Sequence, residues 1–262
     1  MTLLHQPLAG APFEPYGGPP GRLDVADVVT TANSTSIAAG LCVAEGGPLV
    51  YRVDYDAVVI ALDDKLVWED ACGPQALGPG DIVWLPEGAQ NSYWSTATSH
   101  FFYTTWPVDW AGIVGWQAGR DVKDLANQSG PRGSFEGIGV YRRAEALFHP
   151  FPAASGHVEL APVLGPGSGV SMAAGLIALE AAATTLTLQW DAALVALDDA
   201  FWLEAEGRRT QAARGDLFWL PQGTTATLGS HESACIGYVN APVDWAERLA
   251  WAPEGPGRLR RA

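Results

Sequence analysis

The chain has 262 residues, 48% of them hydrophobic and 17% charged, with 30 glycines and 19 prolines; this argues against a polar disordered chain and fits one large domain or two of ordinary size. A formal net charge of −14 repels phosphate backbones and anionic lipid surfaces, so neither nucleic acid nor a membrane is expected as a partner. The three cysteines, Cys42, Cys72 and Cys235, form no C-x-x-C pair, which suggests neither a thiolate zinc site nor a disulfide framework and fits a reducing compartment.

The opening Met1-Thr2-Leu3-Leu4-His5 lacks a basic stretch ahead of a long apolar run, and no segment approaches the roughly 18 apolar residues that span a bilayer. A soluble, cytoplasmic protein is expected. Short runs rich in β-branched, aliphatic and aromatic residues follow at 38–44, 57–62, 65–69, 81–85, 90–94 and 99–106, separated by turn residues. That spacing predicts an all-β sandwich or barrel. Asp109 is placed to N-cap a short helix reaching to about Leu125, and Asp244 one reaching Trp251. At the far end Arg258, Arg260 and Arg261 sit beside glycines and read as a solvated, frayed tail.

An internal repeat organises all of this. Asp56-Ala57-Val58-Val59-Ile60-Ala61-Leu62-Asp63-Asp64 returns as Asp191-Ala192-Ala193-Leu194-Val195-Ala196-Leu197-Asp198-Asp199, and the offset from 56 to 191 is 135. The same offset carries Gly80-Asp81 onto Gly215-Asp216, Trp84-Leu85-Pro86 onto Trp219-Leu220-Pro221, and Pro107-Val108-Asp109-Trp110 onto Pro242-Val243-Asp244-Trp245. A period this long is a domain rather than a solenoid unit of about 20 to 50 residues. The boundary is expected near residues 130 to 140, giving domains 1–135 and 136–262.

Gly80-Asp81-Ile82-Val83-Trp84-Leu85-Pro86-Glu87-Gly88 and Gly215-Asp216-Leu217-Phe218-Trp219-Leu220-Pro221-Gln222-Gly223 resemble the second signature of the cupin superfamily. With Tyr55-Asp56, Ala61-Leu62-Asp63-Asp64 and the aromatic strand that closes in Trp106-Pro107-Val108-Asp109-Trp110, each half is similar to the cupin domain of the ethanolamine-utilization Q protein. The resemblance implies an all-β bicupin: two tandem double-stranded β-helix, or jelly-roll, barrels. Metal-binding cupins use histidines and a glutamate, and that pattern falls here on Tyr51, Val53, Ala57 and Asn91, and in the second half on Leu186, Leu188, Ala192 and Ala226. No metal is expected at either set, because these side chains lack the imidazole and carboxylate donors a divalent metal takes; no cofactor is implied. The family's glutamate after Tyr-Asp is Ala57, so its phosphate-transfer chemistry loses an acidic candidate. The five histidines, His5, His100, His149, His157 and His231, have no metal-site spacing and are read as surface or turn residues. Asp63-Asp64 and Asp198-Asp199 are read as solvated turn aspartates.

The halves differ in polarity. Tyr51, Arg52, Asp54, Tyr55, Asn91 and Tyr93 in the first correspond to Leu186, Thr187, Gln189, Trp190, Ala226 and Leu228 in the second. A mostly apolar pocket with a few convergent polar groups is a ligand site by default. If Asn91 faces inward, strand alternation turns Tyr93 inward as well. Tyr51, Asn91 and Tyr93 are therefore the candidate catalytic residues, with Arg52, Asp54, Trp84 and Tyr103 as candidate ligand contacts. A competing reading has these aromatics simply filling the barrel. Trp110 and Trp245 are expected at the barrel mouth or between the halves. Two functions follow: a metal-independent isomerase, cyclase or lyase acting on a small unsaturated or aromatic metabolite, or a non-catalytic small-molecule binder or scaffold. The edge strands of such barrels also suit a homodimer.

Overall fold

The computed structural model describes residues 2–18, 20–117, 135–151, 155–252 and 258–259. Short apolar runs between turns fold as expected, into two separate sheets that curl into barrels, one of nine strands and one of eleven. The chain divides into one compact unit at Ala11–Arg142 and another made of Met1–Gly10 with Arg143–Ala262. They are called the N-terminal and C-terminal barrels below.

These units are not the two sequence halves 1–135 and 136–262. Leu4–Gln6 lies antiparallel on Leu217–Leu220 in the C-terminal barrel, and its counterpart by the repeat, Gly139–Tyr141, lies on Ile82–Leu85 in the N-terminal barrel. The first strand of each repeat thus completes the sheet of the other. A repeat period records which residues are equivalent, not which edge a strand closes. At the other end Arg258–Leu259 pairs with Leu147 and Phe148, so these two residues form a strand rather than fray; Arg260 and Arg261 lie outside the described residues.

Two long strands, Ala38–Arg52 and Gln90–Trp106, form the backbone of the N-terminal barrel. The second merges the runs expected at 90–94 and 99–106. Its first part pairs with Leu49–Arg52 and its later part with Ala38–Ala44 and Asp56–Ala61. The partner strand can serve both because it bends at Gly46 and Gly47, whose φ angles are 68° and 127°, with register slips between Ala44 and Leu49. Glycine accepts such angles without the steric cost a β-carbon brings. The equivalent of Gly46 is Ala181, held at φ 44°.

Helices are short. Trp110–Val114 is capped by the Asp109 side chain, which accepts from the Gly112 amide, and ends at Gly115 with φ 69°. The helix expected to reach Leu125 therefore stops at Val114; residues 118–125 lie outside the described residues. Trp245–Arg248 is the equivalent, though Asp244 makes no side-chain cap. Among the described residues no helix is long and apolar enough to cross a membrane.

Of the turn aspartates, Asp64 and Asp199 are exposed as expected, but Asp63 and Asp198 are clamps. Asp63 accepts from the Ser99 hydroxyl at 2.6 Å, the His100 amide at 2.8 Å and the Lys65 amide at 3.2 Å. Asp198 accepts from the Cys235 amide at 2.7 Å and the Ala200 amide at 3.2 Å. Each pins a tight turn to the closing strand of its own barrel. Of the histidines, His157 and His231 are exposed as expected, while His5, His100 and His149 are only partly exposed, on strands; His5 stacks on Phe218 with centroids 4.5 Å apart and its Nε2 lies 2.9 Å from Asp216.

Partial burial alone would raise the Asp63 carboxyl, but hydrogen bonds from His100, Ser99 and Lys65 overcome that and hold it at about 2. An unfolded aspartate titrates near ~3.9. The clamp therefore contributes stability above that value and loses it as pH falls toward about 2. Thermal melts between pH 5 and pH 2.5 are expected to fall more steeply for the wild type than for Asp63→Asn; parallel curves would refute the clamp.

Candidate functional site

Strand alternation turns every second residue of the long strands into the barrel. In the N-terminal barrel the inward residues enclose a cavity of about 40 Å³, lined among others by Tyr16, Tyr51, Tyr55, Asn91, Tyr103 and Thr105. Tyr51 and Asn91 are direct cross-strand partners. All four positions that hold metal ligands in metal-binding cupins line this one cavity, as Tyr51, Val53, Ala57 and Asn91. Their counterparts Leu186, Leu188, Ala192 and Ala226 likewise line one cavity in the C-terminal barrel. A valine and an alanine donate nothing, and a phenol with an amide does not replace imidazole and carboxylate. The residues present do not fit a divalent metal. Among the described residues no three His, Cys, Asp or Glu side chains gather into a metal-binding group.

What the cavity holds instead is unpartnered polarity. Asn91 is 1% exposed, and neither its carbonyl nor its amide nitrogen has a hydrogen-bond partner. The Thr105 hydroxyl, also on the lining, is buried without a partner; so is that of Tyr93, which belongs to the barrel core and does not line the cavity. Leaving such a group unsatisfied costs about 1–3 kcal/mol each. Tyr93 itself is fully buried, stacked on Trp68 at 4.6 Å, with its ring edge-on to Tyr51 at 6.3 Å.

Burial pushes every phenol here upward. Tyr16 is raised to about 12 by desolvation, with Tyr55 beside it pulling the other way. Tyr51 goes higher still, because burial and Tyr16 together outweigh the nearness of Tyr93 and Asn91; Tyr55, Tyr93 and Tyr103 are raised well above 10, chiefly by burial. All five remain protonated at neutral pH and serve as donors, not bases.

Behind the cavity wall lies a partly buried carboxylate that the sequence did not single out. Asp27, on strand Gly21–Val29, accepts from the Tyr103 hydroxyl and, at 3.3 Å, from the Trp110 indole. Burial raises its carboxyl, and those two bonds offset part of the rise. The closeness is built into the backbone: a β-carbon on Gly40 would sit 2.7 Å from the Tyr103 hydroxyl, and one on Gly175 equally close to that of Tyr238. Tyr238 is the repeat equivalent of Tyr103, but Pro162 replaces Asp27, and the Tyr238 hydroxyl is left without a partner. Lining up the halves at the offset of 135 exposes the Asp27-to-Pro162 change, the one sequence signal that could have found it.

The remaining expected contacts lie elsewhere. Arg52 and Asp54 pair with each other at 3.0 Å, half-exposed, and neither lines the cavity; alternation turns Arg52 outward from Tyr51. Trp84 is buried, but its neighbours Val83 and Leu85 belong to the barrel core, so Trp84 occupies the opposite face of its strand. Trp110 does reach the cavity and stacks on Trp116 at 5.4 Å.

The family model described as ethanolamine utilisation protein EutQ matches residues 16–112 and again 158–247. The chain belongs to the EutQ family. It is a bicupin, since each copy folds as a cupin barrel. A protein named acetate kinase EutQ from Escherichia coli is 25% identical over 97 residues, and one of the same name from Salmonella typhimurium is 23% identical; the match spans 37% of this chain and 42% of each relative. Among solved structures, the protein Ylba from E. coli superposes with a TM-score of 0.65 at 10% identity, covering 92% of this chain and 91% of its own. A salicylate 1,2-dioxygenase from Pseudaminobacter salicylatoxidans gives 0.61 at 13% identity, covering 86% and 78%. At such identities these two superpositions speak for the cupin fold alone.

Asn91→Leu keeps the volume and removes both orphaned atoms. It is expected to raise the stability of the free protein by about 1–3 kcal/mol in urea denaturation; destabilisation would mean that Asn91 is satisfied in the folded barrel.

Proposed function

We propose that the N-terminal barrel of this EutQ-family chain is a metal-independent site for a small unsaturated metabolite bearing a carbonyl or enol oxygen, with chemistry of the isomerase, cyclase or lyase type. The observation that carries the reading is Asn91: a buried amide that makes no well-formed hydrogen bond, with only the Tyr51 phenol beside it, at the position where metal-binding cupins place a ligand. A substrate oxygen bound there would accept from the Asn91 amide nitrogen and from the protonated phenol of Tyr51; Tyr93, off the cavity lining and edge-on to Tyr51, would act only by holding that ring. Such donors stabilise an oxyanion as it develops. Asp27, bonded to the Tyr103 hydroxyl on the cavity wall, would supply the carboxylate that proton transfer needs, acting through Tyr103.

Size narrows the ligand. About 10–15 Å³ of such space holds one water, so a cavity of about 40 Å³ takes only a few heavy atoms. That favours a short unsaturated carbonyl compound over an aromatic one. It also leaves Arg52, Asp54 and Trp84 without a role at the substrate.

Phosphoryl transfer, which the name of the curated relatives brings to mind, finds little support. Among the described residues no lysine or arginine lines the cavity, and the family's glutamate position is Ala57. A non-catalytic binder is the second reading, favoured by the raised phenols, which hold ligands better than they move protons.

Native mass spectrometry of untagged protein, taken gently from cell extract, is expected to show a metal-free chain carrying a small organic adduct. Asn91→Leu should lose that adduct. Tyr51→Phe should lower turnover of the identified compound by at least about tenfold if the site is catalytic, and spare the rate if it only binds. A transition-metal mass on the wild type would overturn the proposal.

A further inference from the structure

The C-terminal barrel is the more apolar copy. At the repeat offset Tyr51, Asn91, Tyr93 and Trp68 become Leu186, Ala226, Leu228 and Leu203. Other lining positions grow, Cys42, Val53 and Tyr55 becoming Ile177, Leu188 and Trp190, yet a cavity of about 50 Å³ remains between Leu186, Leu188, Trp190, Ala226 and Leu228. If this barrel had decayed into plain packing, its polar groups would be expected to go too. The opposite holds at one place: Leu49 of the polar barrel corresponds to Thr184 here. Thr184 lines the cavity, is 3% exposed, and its hydroxyl has no partner. Tyr238 lines it as well, 1% exposed and also unpartnered. Asn240, buried at 5% exposure, is the third polar side chain on a lining that is otherwise apolar; two buried hydroxyls without partners beside such a hollow are what a guest with one oxygen and a hydrocarbon body would satisfy.

We propose that the C-terminal barrel is a second binding site, specific for a short aliphatic ketone or alcohol. Its chain packs among the leucines, and its oxygen bonds to the hydroxyls of Tyr238 and Thr184. At about 10–15 Å³ per water-sized unit, the cavity of about 50 Å³ suits a body of roughly three to five heavy atoms. So small a guest binds in the millimolar range by order of magnitude. This site is independent of the reading of the N-terminal barrel, whose polar lining suits a different oxygen-rich guest.

The test is titration of the full-length protein with butan-2-one, followed by methyl resonances of Leu186, Leu188 and Leu228 in carbon-13 spectra. Saturable shifts are expected at these methyls, unchanged in Asn91→Leu. Thr184→Val and Tyr238→Phe keep the shape of the barrel and remove one hydroxyl each; each is expected to weaken binding by about fivefold. Ala226→Leu fills the hollow and should abolish the shifts. Acetamide, similar in size but without the hydrocarbon body, should bind at least about tenfold more weakly. Absence of saturable shifts in the wild type would overturn the proposal, as would affinity unchanged in both hydroxyl variants or acetamide binding as well as the ketone.

Discussion

The ladder between Ala38–Arg52 and Gln90–Trp106 is the constraint on which the N-terminal site depends. Its register sets Tyr51 opposite Asn91 and Leu49 opposite Tyr93. Side chains alternate with a period of two, so a slip of one residue would turn all of them out of the barrel. The C-terminal barrel repeats the arrangement, with Leu186 opposite Ala226 and Thr184 opposite Leu228. Because the two ladders share a register, the barrels present the same positions to their interiors, and the copies diverge by chemistry at fixed places.

That divergence has an energetic logic. A closed barrel offers no water to an inward polar group, so each must be bonded or left at a cost. Tyr103 meets the demand through Asp27 and the glycine that lets its ring settle. Asn91, Tyr93 and Thr105 do not meet it. Buried polar atoms left open around a cavity, beside tyrosines that burial keeps protonated, describe a hydrogen-bonding surface waiting for an oxygen-bearing guest. The C-terminal barrel gave up most of that surface, with leucine and alanine at the equivalent positions, yet retained a tyrosine hydroxyl, acquired a threonine and carries Asn240 where the other barrel has Thr105. Neither interior supplies the ligand set of a metal-binding cupin, and that difference lies in donor chemistry rather than in fold.

The clamps around the barrels are common to both copies. Asp63 and Asp198 tie their turns to the closing strand, and Asp81 and Asp216 of the Gly-Asp turns accept from Gly78 and Ala213 amides. Asp56 and Asp191 accept from Glu87 and Gln222 amides. The tryptophan pairs Trp110–Trp116 and Trp245–Trp251 stack alike, and their outer indoles donate to Pro15 and Pro150 carbonyls. What the duplication preserved most faithfully is therefore the scaffold.

The amino-acid sequence alone determined the all-β class, the tandem repeat, the cupin signatures and the absence of metal ligands at the four equivalent positions. Such features are written in residue identity and spacing, which local turn chemistry and strand period make readable. It also singled out Tyr51 and Asn91, because the offset of 135 shows where the halves differ. Only the tertiary structure decided the rest. Pairing between distant strands sends Leu4–Gln6 and Gly139–Tyr141 each to the other repeat's sheet, and no local pattern specifies the edge a strand will close. Burial put Tyr51 and Asn91 on the wall of a hollow and Tyr93 in the core behind it, while leaving Arg52 and Asp54 at the surface and Trp84 on the far face. Asp27 entered the site through a tyrosine 76 residues away in sequence, since a side chain's partner is set by where the barrel closes and not by where it stands in the chain.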